Sequence, residues 1–349
     1  MEKYIELLKQ LIATPSMSRQ EQDAALLIRQ FLDHSGLKYS IKENNTWIKN
    51  QHWDEGLPVI LLNSHIDTVK PASGYTRDPF SPKVENEILY GLGSNDAGGP
   101  LVTLLAVFMH FNPMENLPFN LIFAATAEEE ISGLNGMVSV LDELGPLDLA
   151  IVGEPTQMKM AIAEKGLMVL DCTAYGKSGH AAREEGENAI YKAIADIEKI
   201  KNYRFGKTSD VLGAVKMSVT MINAGTQHNV VPDTCSFVVD VRTNEYYSNR
   251  EAFNIIEKVI ELEVKPRSFR LNSSGIPVDH PIVQRGIRLG LSYYGSPTTS
   301  DQAMIPYPSV KIGPGDSARS HTADEFILIS EIEEGFKIYV DLLSDLQLR

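Results

Sequence analysis

The sequence predicts an α/β protein, a mixed sheet flanked by helices, that also carries a second, ferredoxin-like α+β region. Three observations lead there. Apolar runs of strand length alternate with helical patterns through residue 154. From residue 165 the expected order becomes β-α-β-β-α-β. The chain is 349 residues, long for one core, so two domains are expected.

Taken in order, residues 1–12 place Ile5, Leu7, Leu8, Leu11 and Ile12 at helical spacing, and Thr14-Pro15 stops that helix. Ser18-x-x-Glu21 reads as a capping box for the next helix, whose apolar face is Ala24, Leu27, Ile28, Phe31 and Leu32. Gly36 closes it as a left-handed cap. Residues 39–49 and 58–63 read as strands, 101–110 as a helix, and 121–127 and 147–152 as buried strands. In the second region, strands are expected at 165–175, 216–224, 234–242 and 268–271, with helices at 188–199 and 248–262. Residues 281–293 read as a helix of the first region.

The net charge of −14 argues against a general nucleic-acid binder and against an anionic membrane surface. No apolar run reaches the ~18 residues of a membrane span. The start, Met1-Glu2-Lys3-Tyr4, lacks a basic segment followed by an apolar one, so a cytoplasmic protein is expected. Cys172 and Cys235 match neither a disulfide framework nor a thiolate metal site and are expected to be packing residues.

Four strand-like runs end in chemistry. The run from Leu57 to Leu62 leads into His65-Ile66-Asp67, whose outer two side chains face one way in an extended chain. Open α/β sheets place their sites at such carboxyl ends. A satisfied polar strand end would look the same. Gly91-Leu92-Gly93-Ser94-Asn95-Asp96 departs from a dinucleotide fingerprint at its sixth position, leaving Asp96 as a site acid or as the cap of the following helix. Leu121 to Ala127 runs into Glu128-Glu129-Glu130, which is either a solvated turn or a set of repelling carboxylates that a cation would relieve. Leu147 to Gly153 ends in Glu154. Hard oxygen and imidazole donors around one cleft describe a divalent site, and this many carboxylates suits two ions. No His-Glu-x-x-His is present, so helix-borne single-zinc proteases are out. Gly176-Lys177-Ser178 lacks the first glycine of a phosphate loop, since position 171 is Asp.

Together, His65-x-Asp67, Gly93-Ser94-Asn95-Asp96, Glu129-Glu130-Ile131-Ser132-Gly133, Gly153-Glu154-Pro155-Thr156 and Ser320-His321-Thr322-Ala323-Asp324-Glu325 resemble the two-metal aminoacylase/carboxypeptidase family. This is the M20 peptidase family, which includes acetylornithine deacetylase and succinyl-diaminopimelate desuccinylase. The resemblance implies His65 and Glu154 on one ion, Glu130 and His321 on the other, and Asp96 bridging them. It implies Glu129 as general base and Asp67 as the holder of the His65 ring. Where the family has Asp-Glu-Glu this chain has Glu128-Glu129-Glu130, and aligning on Ile131-Ser132-Gly133 gives the roles just stated. It further implies a discontinuous catalytic domain, 1–164 with 273–349, and an inserted lid and dimerisation domain, 165–272. In that insert His180, Asn229 and Arg242 match the family's substrate contacts, His180 in its own or the partner subunit's site.

The expected activity is a cytoplasmic, dimeric di-metal amidohydrolase, with zinc or cobalt, that removes an N-acyl group from an amino acid, a small-molecule substrate. Deacetylation of the N-acetylornithine type (with acetyl-lysine and citrulline variants), and so a place in arginine biosynthesis, comes first. Desuccinylation of succinyl-amino acids or succinyl-diaminopimelate, and dipeptide cleavage, are the alternatives. A non-catalytic binding protein on the same fold is the alternative from another class.

Overall fold

The computed structural model describes residues 1–183 and 185–348. The chain falls into two compact units, one made of Met1–Ile162, Gly275–Tyr294 and Ser300–Arg349, the other of Ala163–Ser274 with Gly295–Thr299. No helix among the described residues is long and apolar enough to cross a membrane.

The first unit is built on a mixed sheet whose order includes 40–42, 45–49, 120–126, 59–65, 149–152, 309–311 and 160–164. Val59–His65 is parallel to both Asn120–Thr126 and Leu149–Val152, and Ser309–Lys311 is parallel to Leu149–Val152. Buried on both faces, these strands are apolar without alternation, as parallel strands under helices are. Leu61 and Ile122 point to one face, into a cluster with Trp47 and with Met137, Val140 and Leu144 of the helix Met137–Leu144. On the other face Phe123 meets Phe108, ring centroids 6.2 Å apart, from the helix Gly99–Phe111. That helix is buried nearly all round because Ile329–Leu343 also packs on it.

The second unit holds a four-stranded antiparallel sheet in the order 216–224, 234–243, 166–175, 263–266. In chain order this is second, third, first, fourth, the ferredoxin-like arrangement. One face of Gly166–Tyr175 is buried residue by alternate residue, and it packs on Ala189, Ala193 and Ile200 of the helix Ala189–Asn202 and on Phe253 and Ile256 of Asn249–Val259. Cys172 and Cys235 sit in this core as free thiols, and burial pushes the Cys172 thiol up to about 12.

Several expected elements differ. Residues 39–49 are a hairpin, Ser40–Lys42 against Asn45–Lys49, because Glu43 takes a positive φ and turns the chain. The helix expected through residue 262 stops at Val259, where Ile260 becomes extended. The last strand is therefore Glu263–Pro266, not 268–271. The helix expected at 281–293 ends at Arg288, since Gly290 at φ +83° reverses the chain into the strand Tyr293–Ser296. Ser18-x-x-Glu21 forms no capping box: the helix Gln22–His34 has no side-chain cap, and both residues serve the site instead.

Candidate metal centre

The strand ends set the geometry. His65 is the last residue of its strand, Glu129 and Glu130 follow the neighbouring strand, and Glu154 follows the next. Asp96 enters from the turn that opens Gly99–Phe111, and its peptide bond to Ala97 is cis. His321 enters from the loop after the single helical turn Ser317–Arg319. All six belong to the first unit.

Asp96 stands between two histidines. Its Oδ1 is 3.3 Å from His65 Nε2, and its Oδ2 is 3.7 Å from His321 Nε2. Glu154 Oε1 lies 3.8 Å from His65 Nε2, and Glu130 Oε2 lies 3.0 Å from His321 Nε2. Glu129 Oε2 is 3.9 Å from His65 Nε2. Two overlapping donor sets, His65 with Asp96 and Glu130 and His65 with Glu129 and Glu154, each hold their ligand atoms within 4.8 Å of one another. His65 Nε2 is buried, makes no hydrogen bond and faces these carboxylates. A buried ring nitrogen surrounded by hard oxygen donors is what a divalent cation fits.

The electrostatics say the same. Burial raises the Glu129 carboxyl well above its usual range, and Glu154, Asp301 and Glu130 add to the rise against His65. Burial also pushes Glu154 up to about 8, against the pull of His65. Burial would lower the His65 imidazole, but the carboxylates around it, Asp67 and Asp96 first, raise it well above an ordinary histidine. His321 rises to about 9 through its hydrogen bond to Glu130. Protons or cations must neutralise this cluster, and a divalent ion would favour every carboxylate's charged form at once.

Asp67 does more than hold one ring. The His65 Nδ1 contact is 2.9 Å to the main-chain carbonyl of Asp67, against 3.5 Å to its carboxylate. The carboxylate instead accepts the Glu129 N–H at 3.0 Å, the Glu130 N–H at 3.2 Å and the Ser18 hydroxyl at 2.7 Å. Burial opposes its ionisation, yet His65, Ser18 and the Glu129 N–H together hold its pKa below the usual range. The first acid of the triplet points elsewhere. Glu128, at φ +55°, accepts from Asn135 N and Nδ2, and its own N–H donates to buried Glu21.

Two carboxylates escape sequence reasoning. Buried Asp301 accepts from Asn63 Nδ2 and Thr126 Oγ1, both at 2.9 Å, directly behind His65 and its register partner Thr126. Burial lifts its pKa to about 6. Buried Glu325 accepts three backbone N–H groups from the Asp96 turn. The only available signal was Glu325's place four residues after His321.

His180, Asn229 and Arg242 lie in the second unit. His180 pairs with Val230 in a two-residue ribbon, and the Asn229 carbonyl accepts the Ala181 N–H at 3.0 Å, so these two share one exposed corner. Arg242 lies on Thr234–Thr243, where its fork grips Asp240 at 2.8 and 3.0 Å. Of the unassigned histidines, His110 packs edge-on against Phe111 and Phe336, and His280 caps the helix Pro281–Arg288.

The profile of peptidase family M20/M25/M40 matches residues 61–345. Among curated relatives, succinyl-diaminopimelate desuccinylase of Wolbachia pipientis subsp. Culex pipiens (strain wPip) is 25% identical over 98% of this chain and 92% of its own length. Acetylornithine deacetylase of Proteus mirabilis (strain HI4320) is 26% identical over 95% of this chain and 93% of its own. Among solved structures, an M20 family metallo-carboxypeptidase from Sulfolobus solfataricus superposes with a TM-score of 0.78 at 16% identity, covering 100% of this chain and 99% of the other. A profile match over most of the chain, with His65, Asp96, Glu130, Glu154 and His321 gathered around one point, establishes that this chain belongs to peptidase family M20/M25/M40, a family of metal-dependent hydrolases.

Proposed function

We propose that the protein is a di-metal amidohydrolase that releases an N-acyl group from an amino acid, acting as an N-acetylornithine-type deacetylase. The observation that carries the di-metal part is Asp96, whose two carboxylate oxygens face His65 and His321 separately; the acetylornithine part follows the Proteus relative's name. His65 with Glu154 would hold one ion and His321 with Glu130 the other, Asp96 serving both. When bound, two divalent ions, zinc or cobalt, polarise the amide carbonyl and acidify water.

The chain's own residues would do the rest. Glu129, whose carboxylate reaches to 3.9 Å from His65 Nε2 without being counted among the ligands, takes the proton of the attacking water as the oxygen–carbon bond forms. It gives that proton to the nitrogen as the carbon–nitrogen bond breaks, so the products are a carboxylic acid and an amine, which at neutral pH become a carboxylate and an ammonium. Asp67 keeps the Glu129–Glu130 backbone in register with His65. His180 and Asn229 would steady the carbonyl oxygen, and Arg242 would receive a substrate carboxylate once its fork leaves Asp240.

The second reading is desuccinylation, favoured by the Wolbachia relative's name as the first is by the Proteus relative's. A homodimer through the second unit is supported by its exposed edge strand Lys216–Ala224, where Met221 and Ile222 are more than half exposed. The two unpaired buried thiols suit the cytoplasm. The test is hydrolysis of matched N-acetyl- and N-succinyl-ornithine and citrulline, succinyl-diaminopimelate and dipeptides by metal-reconstituted protein, with a chelated control. Chelator-sensitive release of acetate supports the proposal, and exclusive release of succinate or cleavage of dipeptides refutes it.

A further inference from the structure

One side chain from the far end of the sequence accepts three backbone N–H groups of the turn that carries Asp96. Glu325 Oε1 accepts the N–H groups of Asn95 and Asp96, both at 2.9 Å, and Oε2 accepts that of Gly93 at 3.0 Å. Its main-chain carbonyl takes a fourth, from Gly91, at 2.9 Å. The residue is 2% exposed, so none of these donors has water as a substitute. Gly93 adopts φ +75°, and a Cβ there would come 2.6 Å from Thr68 Cγ2, so the turn presents its N–H groups only with glycine at that point.

A second fastening lies on the other side of His321. Asn95 accepts the Asp316 N–H at 2.9 Å and donates to the Asp316 carbonyl at 3.1 Å and to Ser320 Oγ at 3.4 Å. His321 therefore sits between two points, 316–320 and 325, at which its segment is fastened to the Asp96 turn. His65 needs no such help, since it is a buried strand residue whose ring is held by the Asp67 carbonyl. The His321 side chain is more than half exposed and takes its place from its loop.

We infer that Glu325 is a positioning residue that sets the spacing between Asp96 and His321, and so the affinity of the centre for the ion that Asp96, Glu130 and His321 share. The inference rests on the di-metal reading. Glu325→Gln preserves shape, but its amide nitrogen must face either Gly93 N–H or the Asn95 and Asp96 N–H pair. At least one buried donor then meets a donor. Asp324 supplies the control. It lies on the same segment, but its carboxylate accepts Thr76 and Arg77 N–H at 2.9 and 3.0 Å and touches nothing in the Asp96 turn.

The experiment titrates metal-free wild type, Glu325→Gln and Asp324→Asn with zinc against a competing chelating dye. Cobalt absorption reports coordination geometry, and thermal melts of the metal-free forms run alongside. Wild type should take two ions. Glu325→Gln should lose about 10- to 100-fold in affinity for the ion that Asp96, Glu130 and His321 share, lose less for the ion of His65 and Glu154, which Asp96 also serves, and show an altered cobalt spectrum. With both ions forced on, kcat should fall more than KM rises. Asp324→Asn should bind both ions as wild type does. If Glu325→Gln binds both ions like wild type, or differs only by a lower metal-free melting point, the inference is overturned. Wild type holding fewer than two ions overturns the di-metal reading and the inference with it. Should Glu325→Gln fail to fold, Glu325→Asp carries the test. It retains the charge but falls one methylene short, and wild-type affinity for both ions in that variant overturns the inference equally.

Discussion

Replacing Asp67 by Asn separates two roles that one residue combines. The main-chain carbonyl that holds His65 Nδ1 survives the change, so the imidazole keeps that anchor while the Glu129–Glu130 backbone loses a charged acceptor. The buried carboxylate accepts from Glu129 N–H on one oxygen and from Glu130 N–H and Ser18 on the other. An asparagine places an amide nitrogen on one of those sides. The Ser18 hydroxyl can rotate to accept, but a backbone N–H cannot. Either orientation therefore leaves at least one buried N–H facing a donor, which costs about 1–3 kcal/mol. The loss of charge assistance to the remaining bonds adds to that. Denaturant unfolding of the metal-free protein should show the first unit destabilised by about 2 kcal/mol or more. Turnover of the metal-loaded protein should drop about 10- to 100-fold, as for other residues that orient ligands. A variant within about 0.5 kcal/mol and twofold of wild type in both assays would refute the reasoning.

Three further outcomes follow from the same geometry. Glu129→Gln should retain two ions by elemental analysis yet lose about 10²- to 10⁴-fold in kcat, because an amide cannot carry the proton; full turnover would remove Glu129 from the base role. Chelation should lower the melting temperature of the first unit. The carboxylates then face one another without a counter-ion, and re-addition of zinc should restore about 2.7 kcal/mol or more at a hundredfold excess over Kd. An unchanged melt on chelation would contradict a metal centre built on these acids. Gly133→Ala should destabilise the protein by about 1–3 kcal/mol in denaturant unfolding. The added Cβ would lie 1.9 Å from Glu128 Oε2 and drive that carboxylate off Asn135; wild-type stability would show that the loop yields freely.

His65, Asp96, Glu129, Glu130 and Glu154 were readable because each follows a short apolar strand or opens a turn, and such placement leaves a local mark; His321, in a loop after Ser317–Arg319, was reached only through the family motif. The reading of Glu129 and Glu130 against Glu128 rested on a motif alignment. The structure supplies a physical distinction, because Glu128 turns back to Asn135 while its two neighbours hang their N–H groups on Asp67. The supporting residues were not readable. Glu325 reaches Asp96 across 229 positions and Asp301 reaches Asn63 across 238, and side chain–backbone or side chain–side chain bonds of that span impose no periodicity. Ser18 and Glu21 misled for the opposite reason. Their spacing satisfies a local rule, but Asp67 and the Glu128 N–H are stronger partners than a helix end in water. Element boundaries erred where a single positive φ, at Glu43 in an expected strand or Gly290 in an expected helix, reversed the chain.

The first unit is completed by the last quarter of the chain, after more than a hundred residues that fold elsewhere. During synthesis His65, Asp96, Glu129 and Glu154 emerge first and His321 and Glu325 last. At about 5–20 residues per second, on the order of ten to thirty seconds separate Glu154 from His321. Throughout that interval the nascent centre has its acids but neither its second histidine nor the carboxylate that fastens the Asp96 turn. Full metal loading is therefore expected only after synthesis, and a ribosome-stalled chain ending near residue 300 should hold ions far more weakly than the released protein.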